Sequence, residues 1–347
     1  MKGNGRTRDE KIALRHGAGG RAMRALIRDV LAGNLADAAI AGAVGLDAMD
    51  DGAAIPLGDR WLVITTDSHV IHPIFFRGGD IGRLAISGTV NDLAMMGATE
   101  VLALTSAVIL EEGFPCADLE RIHLSMREAC REAGAAVVTG DTKVMGKGEI
   151  DRIVLNTTGV ALTDRIVTDN ALRPGDRIIV TGTIGDHGFA IMAARHGLAL
   201  DGELRSDVGP VNAMVRAALA TGGTGIVAMK DPTRGGLSSA LHEMAEKSGV
   251  GIVLDERAIP VAPAVRSAAE LLGIDPVHVA NEGKAVIGVR PGAADAVLAA
   301  LRAHPLGRDA AIVGRCTEDR AGSVIVDTGV GRRLLTEPEG ELLPRIC

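Results

Sequence analysis

Aromatic residues are nearly absent from this chain, with four Phe, one Trp and no Tyr in 347 residues. Stacking platforms for bases are therefore scarce, which argues against a single-stranded nucleic-acid binder. No long basic run occurs, and the formal net charge is −7. The electrostatic footprint of a nucleic-acid protein is thus missing as well. Cys116, Cys130, Cys316 and Cys347 form no CxxC pair and no finger-like spacing. Four scattered cysteines in so long a chain are not a disulfide framework, and free thiols suit a reducing compartment. The first twenty residues contain no apolar run of the kind a secretory signal needs. The longest apolar stretch, Val101–Leu110, is interrupted by Thr105 and Ser106 and is too short to span a bilayer. The expected location is the cytoplasm. No GxxxxGK[ST], HExxH or GxSxG motif is present, which excludes P-loop, zincin and α/β-hydrolase chemistry.

What the chain does have is a 47% hydrophobic composition, enough for two aliphatic cores at this length. Helical and strand patterns alternate. Asp80 is placed to cap a helix running to about Met96, and Ala117–Ala133 has helical spacing. Strands are expected at Trp61–Thr66, Val101–Ile109, Ala135–Thr139 and Arg152–Val160. The Pro- and Gly-marked stretch 163–176 reads as a domain boundary. Beyond it come strands at Arg177–Val180, Val250–Leu254, Ala285–Val289 and Ala311–Val313, with helices at His187–Arg195, Val211–Leu219, Leu237–Lys247, Ala262–Leu272 and Ala293–Ala303. Without a strict βαβ period, the class is α+β rather than a doubly wound sheet. The expected units are 1–44, a glycine-rich N-terminal segment; 45–165 and 170–330, two α+β domains; and 333–347, a mobile tail spanning at most roughly 45–50 Å when extended.

Glycines cluster beside acids. Asp50-Asp51, Thr65-Thr66-Asp67-Ser68, Asn91-Asp92, Gly140-Asp141-Thr142-Lys143 and Asp231-Pro-Thr-Arg-Gly-Gly each put a carboxylate beside glycine or a strand end. Each alone is turn chemistry. Together, hard oxygen donors among turns that offer backbone N–H groups are what a nucleotide with Mg²⁺ requires. Asp67, Asp92 and Asp141 interrupt otherwise apolar context. His16 and His187 sit in glycine turns within reach of phosphates. Lys143 and Glu282, if enclosed, are candidates for proton transfer. The chain ends on Cys347, a thiol beside the terminal carboxylate, which opposes ionisation.

These motifs resemble a known family. His16-Gly-Ala-Gly-Gly20, Gly78-Gly-Asp-Ile-Gly82, Gly88-Thr-Val-Asn-Asp-Leu93, Gly140-Asp-Thr-Lys143, Gly185-Asp-His-Gly188, Asp231-Pro-Thr-Arg-Gly-Gly236, Asn281-Glu-Gly283 and Pro344-Arg-Ile-Cys347 are similar to those of the hydrogenase maturation factor HypE. That family comprises carbamoyl dehydratases of the AIR-synthetase (PurM-like) superfamily. The resemblance implies a two-domain PurM-like fold whose N-terminal domains bind ATP and pair into a homodimer. It implies that HypF, a carbamoyltransferase, loads Cys347, and that ATP-dependent dehydration then yields a thiocyanate. A HypC–HypD complex would receive the cyanide for the iron of [NiFe]-hydrogenase. By the same resemblance Asp51, Asp67, Asp92 and Asp141 would hold Mg²⁺. Asn91, Thr142, His16 and Gly19 would join them around the nucleotide, and Cys347, Lys143 and Glu282 would be catalytic. A selenophosphate synthetase would carry a reactive residue near the first glycine loop, where this chain has no cysteine before Cys116. A small-molecule kinase of the same superfamily, or a scaffold that binds nucleotide without turnover, would not need Cys347.

Overall fold

Alternation of buried and open residues builds the first sheet. In Arg60–His69, residues Val63, Thr65 and His69 are buried while Thr66 and Ser68 are exposed, the period of a strand covered on one side only. A computed structural model describes residues 11–17, 19–35, 40–197 and 204–337. The chain opens with a short helix α1 (Arg21–Leu26). Strands β1 (Ala53–Leu57) and β2 (Arg60–His69) follow, then a small hairpin of β3 (Phe75–Phe76) and β4 (Gly79–Asp80). Next come α2 (Ile81–Met95), β5 (Val101–Glu111), α3 (Cys116–Ala133), β6 (Val137–Met145) and β7 (Ile153–Thr163). The sheet order is β1-β2-β7-β5-β6, antiparallel except for β5 with β6. Asp80 caps α2 by accepting from the Gly82 and Arg83 N–H groups, as its position predicts. Helices α2 and α3 cover one face around Leu84, Ile86, Ile122 and Met126.

The stretch 164–176 leads to the second sheet. Its elements are β8 (Arg177–Val180), α4 (Asp186–His196), α5 (Asn212–Gly222), β9 (Ile226–Lys230), α6 (Gly236–Ser248), β10 (Gly251–Asp255) and α7 (Pro263–Leu272). They continue with β11 (Val286–Val289), α8 (Ala294–Ala303), β12 (Ala311–Thr317), β13 (Val324–Asp327) and β14 (Arg332–Leu334). The order is β14-β13-β10-β12-β8-β11-β9. One core packs α6 against this sheet. Another joins α5 and α8 to Ala94 and Met95 at the end of α2, so the two halves share apolar contact. Asn212 strengthens that junction by donating to the Thr99 and Ala133 carbonyls across it. Among the described residues, no helix is long and apolar enough to cross a membrane.

Two expectations change. β6 runs on through Asp141 to Met145, so Asp141 lies mid-strand and not at a strand end. The expected tail also begins too early. β14 pairs with β13, Leu335 is buried in the second core, and Glu337 is buried too. A three-residue strand and one apolar anchor are too little for composition to register.

Candidate functional site: a carboxylate cluster at the domain seam

Strand parity places Asp67 on the helix-covered face of the first sheet. It pairs in register with Thr157, whose hydroxyl donates to the Ala85 carbonyl of α2. Gly88 on α2 makes room for it, because a Cβ there would lie 2.8 Å from His69 Nε2 and 3.4 Å from Asp67 Oδ2. One helical turn on, Asp92 is half-buried. Its Oδ2 lies 2.8 Å from the Thr65 hydroxyl, which is also 3.0 Å from the Asp51 carbonyl. The pKa of Asp92 is driven well above the carboxylate range by burial, then by the charges of Asp67, Asp231 and Asp51. Asp231 is pushed up to about 8 by burial and by Asp51. Four carboxylates from the 50–51 turn, β2, α2 and the loop after β9 therefore face one another.

Glu282 closes the group from the second domain. Its backbone N–H donates to Asp207 and its carbonyl accepts from Asn91. The side chain is buried with Oε1 unpartnered. Burial, then Asp231, Asp207 and Asp67, lift its pKa well above the ordinary range. Asp51 Oδ2 is likewise buried without a hydrogen bond. Unpaired buried acceptors are costly, and mutually repelling carboxylates call for a cation.

Lys230 supplies one cation. Its Nζ is 2.6 Å from Asp51 Oδ1, 3.3 Å from Glu243 and 3.6 Å from Asp169. Burial alone would lower its pKa, but Asp51, Glu243 and Asp169 outweigh that and raise it. Lys247 adds a second ammonium, 2.6 Å from Asp169 and 2.6 Å from the Met49 carbonyl. The 49–51 turn of the first domain is thus held by two lysines of the second.

Several expected site residues lie elsewhere. Asp67, Thr157, Ser106 and Gly140 form one cross-strand row. Asp141, next after Gly140, therefore points to the opposite, open face, three strands or about 14 Å from Asp67. There it pairs with Lys143 at 2.9 Å, and both are largely exposed. That lysine holds the Asp141 carboxyl below its usual range. Thr142 lies in the same exposed edge strand. Within one chain these three do not join the cluster. Asn91 is committed to structure: its amide donates to the Gly209 and Glu282 carbonyls and accepts from the Val211 N–H. Gly19, at φ +77°, lies against the Arg234 backbone, where a Cβ would meet the carbonyl oxygen at 2.7 Å. The first glycine loop thus lies on the 231–236 loop. The ring of His16 caps its own turn, accepting from the Ala13 N–H. Cys347 lies outside the described residues.

The domain pattern is matched by two models of AIR synthase related proteins. The N-terminal domain model covers residues 49–163 and the C-terminal domain model residues 173–327. The carbamoyl dehydratase HypE of Cupriavidus necator is 48% identical over 97% of this chain and 95% of its own length. The chain belongs to the HypE family of carbamoyl dehydratases. The HypE chain of a crystal structure of a HypE–HypF complex superposes with a TM-score of 0.83 at 43% identity, over 90% of this chain and all of that one. HypE in complex with ATP superposes at 0.79 with 40% identity, over 97% of this chain and all of that one. The fold is the two-domain PurM-like α+β fold that the motifs imply.

Sequence reasoning passes over three members of this cluster. Asp231 stands in one of the five acidic turns but outside the set of candidate ligands. Lys230 ends the apolar strand β9, and a lysine after Ile-Val-Ala-Met is the signal that could have marked it. Glu243 gives no such signal, because a glutamate on an amphipathic helix reads as a solvated face.

Proposed function

We propose that this chain uses ATP to remove water from a carbamoyl group carried on its own Cys347, leaving a thiocyanate. The observation that supports this most is the seam itself, where Asp51, Asp67, Asp92, Asp231 and Glu282 are gathered and where Asp51 Oδ2 and Glu282 Oε1 are buried without a hydrogen bond. ATP as co-substrate draws on the ATP complex of the HypE relative.

The chemistry balances without a redox partner. The carbamoyl oxygen attacks the γ-phosphoryl group and ADP leaves. The carbon–oxygen bond then breaks with phosphate as leaving group, two N–H protons are lost, and the carbon–nitrogen triple bond forms. Sulfur stays bonded to carbon throughout. Phosphoryl transfer depends on positioning and charge neutralisation more than on covalent help. Among the described residues, no three His, Cys, Asp or Glu side chains converge into a closed metal site. The hard oxygens of Asp51, Asp67 and Asp92, with Asp231, do fit Mg²⁺, which is commonly held by one or two carboxylates together with phosphate oxygens, and Asp51 Oδ2 is buried without a hydrogen bond. Bound there, the ion would neutralise charge developing on the transferred phosphoryl group. Asp141 does not belong to that set within one chain.

Glu282 is the group for the proton on nitrogen. A carboxyl with a raised pKa is a stronger base once ionised than an ordinary glutamate. The Asp207 and Asn91 contacts fix its backbone, which keeps the side chain at the seam. Enclosure between two domains limits hydrolysis of the phosphorylated intermediate.

HypF as the loading enzyme is supported by the HypE–HypF complex of a relative. Delivery to a HypC–HypD complex is the corresponding step downstream. We place the homodimer contact on β6, all of whose residues are exposed, Val138 and Val144 among them, because an open apolar edge strand is a template for pairing.

Intact-mass spectrometry tests the function. The chain is incubated with carbamoyl phosphate, HypF and ATP. The expected result is a carbamoylated chain that loses one water, both events abolished by Cys347→Ala. A chain carbamoylated at Cys347 that keeps its water with ATP present overturns the reading.

A further inference from the structure

A second cleft lies at the far end of the strands that carry the carboxylate cluster. Asp231 follows β9 and Glu282 precedes β11, so the cluster sits at one end of this strand pair. At the other end, about 16 Å along β9, residues of the linker 165–173 meet Thr224, Ile226 and Arg290 around a cavity of about 530 Å³. That volume is in the range of small-molecule sites. β9 is the last strand of its sheet, and the linker touches it at one bridge, Thr168 beside Ala228. The floor is aliphatic, since Val167, Leu172 and Ile226 are buried members of the two cores below.

The charge around this cleft runs against that of the chain. Arg165, Arg173 and Arg290 line it and no Asp or Glu does, although the formal net charge is −7. Arg165 gives two N–H donors to the Ile226 and Gly223 carbonyls, at 3.1 and 2.9 Å. Those bonds fix the plane of its guanidinium and leave its other donors open. Arg290 pairs with buried Asp176, which also accepts from the Arg173 backbone N–H. Among the described residues, the Arg173 guanidinium itself has no hydrogen bond or ion pair. Nearby carboxylates are already taken, Asp164 by Arg60 at 2.9 Å and Asp169 by Lys247 at 2.6 Å. Asp176 therefore balances one of the three guanidinium charges, and two remain. Asn170 accepts from the Thr168 hydroxyl through Oδ1 at 2.8 Å, which leaves its amide N–H groups to donate.

We propose that this cleft is a binding site for a small aliphatic phosphate monoester, separate from the seam. Two uncompensated guanidinium charges match a phosphoryl group, which carries close to two negative charges near neutral pH. The planar fork of arginine also pairs phosphate oxygens two at a time. A monocarboxylate would leave one positive charge unbalanced. The floor offers aliphatic side chains and no aromatic ring, so it suits a short carbon skeleton and not a stacked base. Occupancy bears on the linker between the domains. Thr168 and Asn170 line the cleft, whereas Asp169 between them turns to Lys230 and Lys247, the alternation of extended chain. Ligand and seam thus grip opposite faces of one segment, and binding stabilises the folded chain by mass action.

Isothermal titration calorimetry of the full-length chain with glycerol 3-phosphate tests this. Titrations are run at constant ionic strength, with and without excess Mg²⁺ and an ATP analogue carrying a non-hydrolysable β,γ bridge. The expected result is saturable one-to-one binding with a Kd below about 1 mM, the same in both conditions, and no binding of glycerol. Orthophosphate is expected to bind at least about fivefold more weakly than the ester. Arg173→Ser weakens the ester at least about tenfold, and Arg173→Lys, which keeps the charge but not the fork, weakens it less. Arg173 is exposed, so both variants fold, and their unfolding midpoints without ligand match that of the wild type. The proposal is overturned if the ester does not bind, if Arg173→Ser binds it like the wild type, or if binding occurs only without the analogue. Orthophosphate binding as tightly as the ester overturns the ester as occupant and leaves the free ion in its place.

Discussion

Lys230 reaches from the second sheet across the domain seam and sets its ammonium 2.6 Å from Asp51 Oδ1. Both side chains are buried, at 11% and 8% exposure, so screening by water is weak. Removing one partner of a buried pair leaves an uncompensated charge and costs about 3–5 kcal/mol. Lys230→Met would strand Asp51, Asp169 and Glu243 together. Urea denaturation is expected to show a loss of that size, part of it recovered on adding Mg²⁺. A loss below about 1 kcal/mol, the range of a surface pair, would mean that Lys230 does not carry the charge of this seam.

The same repulsion predicts a pH dependence. Asp231 is pushed up to about 8 by burial and Asp51, and Asp50 up to about 7 by burial and Asp169. An unfolded chain releases these protons near pH 4. Between about pH 4 and 8 the folded chain therefore holds more protons, and stability falls as pH rises. Each group contributes at most ~1.4 kcal/mol per pH unit within its window. Thermal unfolding of the ligand-free chain is expected to have a higher midpoint at pH 6 than at pH 8.5. Asp231→Asn should flatten that slope, and so should ATP with Mg²⁺. A midpoint that rises with pH over this range contradicts the arrangement.

Local signals account for what the sequence made legible. Asp80 caps α2 where an acid precedes an apolar helix, and α3 follows its 3.6-residue period. Asp67 and Asp92 stand out because acids interrupt apolar surroundings. The signal is lost where neither face is covered. All nine residues of β6 are exposed, so hydrophobic periodicity could not show that the strand continues through Asp141. Partners distant in sequence are hidden for another reason. Asn91 looks like a nucleotide ligand because it precedes Asp92, but its contacts at 209, 211 and 282 exist only after the two domains meet.

That placement separates two roles for Asn91. As a tie it satisfies two carbonyls and one N–H of the second domain. Asn91→Ala removes all three bonds, leaving the Glu282 carbonyl only the 3.5 Å contact from the Gly209 N–H, for a cost of about 2–3 kcal/mol, and loosens the Glu282 backbone. The expected outcome is lower stability and a lower dehydration rate, with the KM for ATP nearly unchanged. A large rise in KM with stability intact would instead make Asn91 a nucleotide ligand.

Lys143 and Glu282 cannot serve one site within a single chain, because Lys143 stands on the open face of the first sheet while Glu282 is buried at the seam. If Lys143 takes part in the reaction, it does so in a second copy docked on β6. Val144→Asp, at a residue 68% exposed, should then yield a 35.7 kDa monomer by light scattering, with chain stability changed by no more than about 0.5 kcal/mol. Subunit mixing gives the sharper result. Lys143→Ala and Glu282→Gln are each expected to slow water loss from carbamoylated Cys347 by about 10²-fold or more. In a heterodimer of the two variants, Glu282 of the first meets Lys143 of the second, and one intact site forms beside one doubly altered site. Mixing should therefore restore dehydration that neither variant performs alone. Activity that stays at the level of the separate variants after mixing, with heterodimers confirmed by native mass spectrometry, would show that Lys143 and Glu282 do not act together in a shared site.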